Sequence, residues 1–256
     1  MRYLGGKGRL GNQIAVTILS STSRRDYYLE PFVGGANAFI HLAPHFAHPC
    51  AGDIHEDLIL MWQAVARGWV PPSTVTEDDY NRLRHAEPSA LRAFCGFPIS
   101  FGGKWFGGYA RSQKGSNDGH NYAESAARTV LAVKPALSRA IIRHASFDQW
   151  SPGEGWCVYC DPPYANTTEY ASSAKSFDSA HFWYVMDYWV ERGAHVFVSE
   201  YTAPAHWRTV GSAEHVCNIM GGLNQAKTEC LFTRSPETKV VTVVDMMRFS
   251  RSGVCL

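Results

Sequence analysis

The chain has 256 residues, 45% hydrophobic and 18% charged, which suffices to bury the core of one domain, or of one domain carrying an insertion, and excludes a disordered chain. Its longest apolar runs, Ala15 to Leu19 and Val240 to Val244, fall far short of the ~20 residues of a membrane-spanning helix. The opening Met1-Arg-Tyr-Leu-Gly-Gly-Lys also lacks the apolar stretch of a signal peptide, so a cytoplasmic protein without membrane attachment is expected.

The formal net charge of +1 conceals an asymmetry. Between Tyr80 and Trp150 ten Lys and Arg face four Asp and Glu, a balance of +6, while the remainder carries −5. A basic middle in an otherwise acidic chain suits a segment that touches a polyanion, a solvated basic face being the alternative. Seven irregularly spaced cysteines indicate reduced thiols rather than a disulfide framework. Cys157 and Cys160 form the one CxxC, yet residues three apart on a strand face opposite sides of a sheet and do not readily share a metal. His41, His45 and His48 lie among apolar residues with no matching ligand cluster, so no metal is expected.

In chain order, Arg2-Tyr3-Leu4-Gly5-Gly6-Lys7-Gly8 pairs glycines, which admit close backbone approach, with an aromatic ring and a cation. A short helix is predicted over Asn12 to Ser20 and a turn over Arg24 to Asp26. Tyr27 to Phe32 reads as a strand running into Glu30-Pro31-Phe32-Val33-Gly34-Gly35, with a helix from Asn37 to Leu42. Strand, glycine turn and helix make the first unit of a nucleotide-binding α/β fold, but GxGxxG is absent and Glu30 would repel a pyrophosphate. A ligand with a positive centre fits better. Cys50 to Ile54 repeats the pattern: a short strand ending in Asp53, where ribose hydroxyls are held, before a helix from Asp57 to Arg67. Glu30, Gly34 and Asp53 thus describe a nucleoside cofactor without phosphates, such as S-adenosylmethionine.

Pro71-Pro72-Ser73 opens a long insert that ends near Lys134-Pro135. Helices are predicted over Tyr80 to Arg92 and Asn121 to Leu137. Between them, Phe101 to Gly119 interleaves glycine, aromatics and cations without period, and reads as a loop that inserts aromatic and basic side chains into a groove. Lys104, Tyr109, Arg111, Lys114 and Asn117 are its nucleic-acid candidates. Ile141 to Phe147 is a further strand. Trp156-Cys-Val-Tyr-Cys160 then forms a buried strand that runs into Asp161-Pro162-Pro163-Tyr164. The two prolines stiffen this loop and remove two N–H donors, leaving a carboxylate and outward carbonyls beside an aromatic plate. Such a pair of acceptors suits a planar ring bearing an amino group.

Tyr3-(x)3-Lys7, Glu30-Pro-Phe-x-Gly34, Gly52-Asp53-Ile54 and Asp161-Pro-Pro-Tyr164, in this order, resemble the dam-type DNA adenine N6-methyltransferases of the D12 class, phage-borne members included. The resemblance implies an α/β, Rossmann-like sheet that uses S-adenosylmethionine. It implies a catalytic domain over residues 1–70 and 140–256 and a mainly helical target-recognition insert over 71–139. Asp161, Pro162, Pro163 and Tyr164 become catalytic, with Asp161 and the Pro162 carbonyl accepting from the adenine amino group and Tyr164 stacking on a flipped base. Tyr3, Lys7, Glu30, Pro31, Phe32, Gly34, Asp53, Phe147, Asp148 and Asp161 become cofactor residues. The partner implied is double-stranded DNA, hence a cytoplasmic, nucleoid-associated enzyme. The insert lacks the family's commoner Phe-Asn-x-Pro segment. An RNA adenine methyltransferase and a catalytically silent nucleic-acid-binding relative are the alternatives.

After the tetrad, Asn166 to Phe177 reads as a mobile loop, Ser179 to Arg192 as a core-facing aromatic helix, and His195 to Ser199, Cys230 to Thr233 and Val240 to Val244 as strands.

Overall fold

Side-chain alternation along the central strands builds two apolar layers. The computed structural model describes residues 1–8, 10–111, 120–163, 177–218 and 224–236, the last two without the side chains of 214–218 and 224–227. The strands are Tyr27–Glu30 (β1), His48–Asp53 (β2), Ile141–His144 (β3), Trp156–Cys160 (β4), His195–Glu200 (β5), Arg208–Asn218 (β6) and Asn224–Arg234 (β7). They form one seven-stranded sheet in the order β3-β2-β1-β4-β5-β7-β6. The first five pair in parallel, and β7 joins β5 and β6 antiparallel.

Tyr28, Ala51, Cys157, Tyr159 and Phe197 point into one apolar cluster, and Leu29, Cys50, Val158, Cys160, Val196 and Val198 into the other. This is the period of two expected of a sheet covered on both faces. It also parts Cys157 from Cys160, as their spacing predicted. The first face is covered by Gly11–Ser21 (α1), Phe39–Leu42 (α2) and Glu56–Ala66 (α3), the second chiefly by Ser179–Glu191 (α8). Of α8, Phe182, Val185, Met186, Trp189 and Val190 are buried, whereas Tyr184 and Tyr188 face outward.

The insert holds Glu77–Leu83 (α4), Ala90–Gly96 (α5), Tyr122–Leu131 (α6) and Lys134–Leu137 (α7). Two single helices were expected, and each is broken. Pro88 cannot continue α4, and Ser89 restarts the helix by accepting from the Arg92 N–H at 3.2 Å. Pro135 sits in the first turn of α7, following the break at Ala132-Val133. Thr76 and Asn121 cap α4 and α6 in the same manner, each at 3.0 Å. Tyr80, Phe94, Phe97 and Phe106 of the insert belong to the same apolar cluster as α1 to α3. Asp57 of α3 is ion-paired to Arg92 of α5 at 2.9 Å and accepts from the Ser89 N–H, so the insert is bolted to α3.

β6 was not anticipated. Val240 to Val244 and nearly all of Asn166 to Phe177 lie outside the described residues.

Candidate active site

Four carboxylates mark the carboxyl ends of four neighbouring strands: Asp53 on β2, Glu30 on β1, Asp161 after β4 and Glu200 on β5. From β1 the chain crosses one way to β2, and from β4 the other way to β5, so the crevice between β1 and β4 is the switch point where α/β sheets bind ligands.

Glu30 is 3% exposed. Tyr28, two residues earlier and therefore on the same face, donates its hydroxyl to Glu30 Oε2 at 2.7 Å. Burial drives the Glu30 carboxyl well above its ordinary range, against the Tyr28 hydrogen bond, with Asp161 and Asp53 adding to the rise. Asp53 is also buried, and burial raises its carboxyl despite the donors around it. Its Oδ2 accepts from the Gly34 N–H and its Oδ1 from the His55 N–H, both at 3.0 Å. Gly34 adopts φ +44° and its carbonyl accepts from Trp62 Nε1 at 3.0 Å. A Cβ there would approach the Tyr3 ring to 3.1 Å. The glycine turn is therefore shaped by Asp53 and lidded by Tyr3, whose ring also meets Phe97 at 4.9 Å. A carboxylate offers about four lone-pair sites, so Asp53 retains acceptor capacity for a ligand.

Lys7 is 8% exposed. Its carbonyl accepts from the Leu10 and Gly11 N–H groups at 3.0 and 2.7 Å, which anchors its backbone at the start of α1. Its ammonium lies 3.0 Å from Asp161 Oδ1 and 3.2 Å from Glu229 Oε1, and Nζ is also 3.5 Å from the Gly5 carbonyl. Burial lowers the Lys7 pKa, but the two carboxylates outweigh it and hold the ammonium above its ordinary value.

Phe32 stacks on Phe147 at 5.4 Å, with Phe177 and Phe182 edge-on at 6.2 and 5.9 Å. The structure thus brings two proposed cofactor residues together on the opposite side of the switch point from Tyr3. Asp148 is half-exposed and paired with His181 at 3.3 Å; the Ser146 hydroxyl, chiefly, depresses its carboxyl. Pro31 and Pro162 are buried and Pro163 partly so, while Tyr164 lies outside the described residues.

The loop after α5 departs from expectation. A bridge between Ser100 and Tyr109 closes it into a tight hairpin; Trp105, Phe106 and Tyr109 turn inward, while Phe101 stays exposed. Trp105 packs against Phe97, Phe106 and His55 and carries the Arg92 guanidinium over its face at 5.1 Å. Tyr109 donates its hydroxyl to the Val75 carbonyl at 2.7 Å and meets Tyr80. The apolar positions of α4 and α5 attract these rings, a tertiary effect that local composition does not report. Lys104 is exposed, whereas Arg111 forms a bidentate pair with Glu77. Lys114 and Asn117 lie outside the described residues.

Glu229 and His55 were not anticipated. An acid inside the run Thr228-Glu-Cys-Leu-Phe-Thr233 was the available signal, since a charge on a buried strand needs a partner. Among the described residues no group of three or more His, Cys, Asp or Glu could hold a metal ion. Nor, among them, is any helix long and apolar enough to cross a membrane.

A sheet whose order reverses between β1 and β4, with a glycine turn and carboxylates at that reversal, defines a Rossmann-like α/β protein. Residues 3–93, which carry Lys7, the Glu30-to-Gly34 turn and Asp53, match the model of the D12 class N6 adenine-specific DNA methyltransferases. A comparison with curated proteins found no match. Among solved structures, the rRNA methyltransferase aviRa from Streptomyces viridochromogenes is similar at 12% identity, over 91% of this chain and 86% of that one, with a TM-score of 0.42. An rRNA methylase from Streptococcus thermophilus is similar at 8% identity, over 90% and 96%, with a TM-score of 0.39.

Proposed function

We propose that the protein methylates the N6 amino group of adenine in double-stranded DNA at the crevice between β1 and β4, with S-adenosylmethionine as methyl donor. The observation that carries this reading is the partly buried, Lys7-paired Asp161 at the end of β4, beside a carboxylate-lined glycine turn that lies within the stretch matching the D12 class model. The residues suit that donor. Asp53 opposes a pyrophosphate and, with Glu30 as a neutral hydrogen-bonding partner, favours a ligand with an ammonium, a sulfonium and ribose hydroxyls. When bound, S-adenosylmethionine supplies an electrophilic methyl group on a positively charged sulfur.

The chain's own part concerns the acceptor. An adenine amino group is a poor nucleophile because its lone pair is delocalised into the ring. Asp161 and the Pro162 carbonyl, accepting its two hydrogens, favour the geometry in which that lone pair is localised on nitrogen, and no covalent intermediate with the protein is required. Asp161 is also the nearest base for the proton that nitrogen must lose. Reaching this site requires the base to leave the duplex, for which Tyr164 is the proposed stacking plate. The exposed cations of the insert are the proposed contacts to the DNA backbone.

Incubation with tritiated S-adenosylmethionine and duplex DNA, followed by nucleoside analysis, tests this directly. Label is expected in N6-methyladenine; label confined to cytosine, or to RNA when both polymers are offered, overturns it.

A further inference from the structure

We infer that Glu229 is a positioning residue for this reaction: it provides a second seat for the Lys7 ammonium, so that Lys7 serves as counter-ion to Asp161 yet can be drawn off it when the adenine amino group arrives. The inference rests on the proposed role of Asp161 as acceptor. Its basis is the arrangement Asp161 Oδ1, Lys7 Nζ, Glu229 Oε1, with separations of 3.0 and 3.2 Å and side chains 18%, 7% and 8% exposed.

Three features point beyond a structural ion pair. First, the ammonium sits on an oxygen of the very carboxylate that must accept from the substrate, so the two donors compete for it. A lysine held by Asp161 alone, in a site this dry, would be costly to displace, because a buried ammonium without a partner is strongly disfavoured. Glu229 offers the displaced ammonium a partner already within contact distance. Second, Lys7 has little freedom to go elsewhere, since its carbonyl is engaged at the start of α1. Third, Glu229 reaches the site by topology. β7 runs antiparallel to β5 with Cys230 opposite Glu200, so the preceding residue passes just beyond the carboxyl end of the parallel sheet, where Asp161 emerges.

Charge balance gives the arrangement a further purpose. Glu30, Asp53, Asp161 and Glu229 crowd one end of the sheet, and Lys7 is the cation ion-paired to two of them. Its ammonium offsets the negative charge gathered at that end of the sheet.

The test is a double-mutant cycle on the full chain using Glu229→Gln and Lys7→Met, with kcat for duplex DNA, cofactor Kd by calorimetry and thermal melting for each variant. Glu229→Gln is expected to lower kcat by roughly ten- to a hundredfold with cofactor Kd changed less than about threefold, and to lower it less than about twofold in the Lys7→Met background, where nothing remains to be positioned. An equal fractional loss in both backgrounds overturns the inference, as does a loss confined to cofactor affinity. If Glu229→Gln does not fold, Glu229→Asp carries the same cycle with the same criterion. NMR titration of the Lys7 side-chain ammonium gives a readout independent of turnover. It should titrate at lower pH in Glu229→Gln than in the parent, and an unchanged titration overturns the inference. A parent with no transfer to adenine in DNA refutes the proposed function instead, and the Lys7 titration still decides the pairing.

Discussion

Asp53 and Asp161 are both acids at strand ends, yet their surroundings separate their tasks. Asp53 engages the Gly34 and His55 amides and so shapes the turn over which a nucleoside would lie. Asp161 instead carries the Lys7 ammonium on its Oδ1 at 3.0 Å. Asp53→Ala is therefore expected to weaken cofactor affinity by at least about tenfold through loss of the turn, and Asp161→Ala to abolish transfer with cofactor affinity nearly intact. Calorimetry and turnover on the two variants read this contrast, and substantial activity in Asp161→Ala would remove the acceptor role. Glu30 makes a statement about pH. Its folded pKa lies well above the ordinary 4.5, so its neutral form stabilises the fold fully below that ordinary value, and the contribution is lost as pH rises through the raised one. Glu30→Gln keeps the neutral shape without the charge. Its melting temperature is expected to exceed that of the parent at pH 8 and to equal it at pH 4; identical melts at both pH values would mean that Glu30 is not held neutral.

At the level of elements, α3 and α5 are joined by the Asp57–Arg92 pair, whose side chains are 5% and 18% exposed. Removing the guanidinium strands a carboxylate with one backbone donor. Arg92→Met should cost about 3 kcal/mol and lower the melting temperature by on the order of 10 °C. The double variant Asp57→Asn with Arg92→Met should recover most of that loss, and a double variant no better than the single one would show that stacking of Arg92 on Trp105, not the ion pair, is what matters. The same region shows how helix boundaries arise. Helical spacing over Tyr80 to Arg92 was genuine on both sides of Pro88, and the proline with its capping serine decided where one helix became two.

Across the whole molecule, the basic excess of the middle section survives folding only in part. Lys104 stands at the exposed end of its hairpin, whereas Arg111 is neutralised by Glu77. DNA binding should weaken with salt, and Lys104→Ala should reduce the slope of log K against log salt by about 1, whereas Arg111→Ala should reduce it by less than half as much. Fluorescence anisotropy of a labelled duplex at several salt concentrations measures both. Equal reductions would show that DNA opens the Arg111–Glu77 pair. Because Phe97, Trp105, His55 and Tyr3 form one aromatic run from the insert to the ring over Gly34, the insert shares an apolar cluster with α1 to α3.

The sequence by itself determined the parallel strands, the acids at their ends and the proline-stiffened loop after β4. These depend on local rules: an alternation of two, glycine where a backbone must turn, proline where it must stiffen. It also determined that the cysteines of β4 part company, for the same geometric reason. Only the tertiary structure decided that Lys7 bridges Asp161 and Glu229, residues far apart in the chain that meet because the segment before α1, the loop after β4 and β7 come together at one end of the sheet. β6 escaped notice because Arg208–Asn218 is polar and carries a glycine, and it is a strand only because β7 supplies a partner along its length. Trp105, Phe106 and Tyr109 of the insert turned inward for a comparable reason. Whether a ring faces a groove or a core depends on what apolar surface stands opposite, and that surface is assembled from helices whose packing no local pattern encodes.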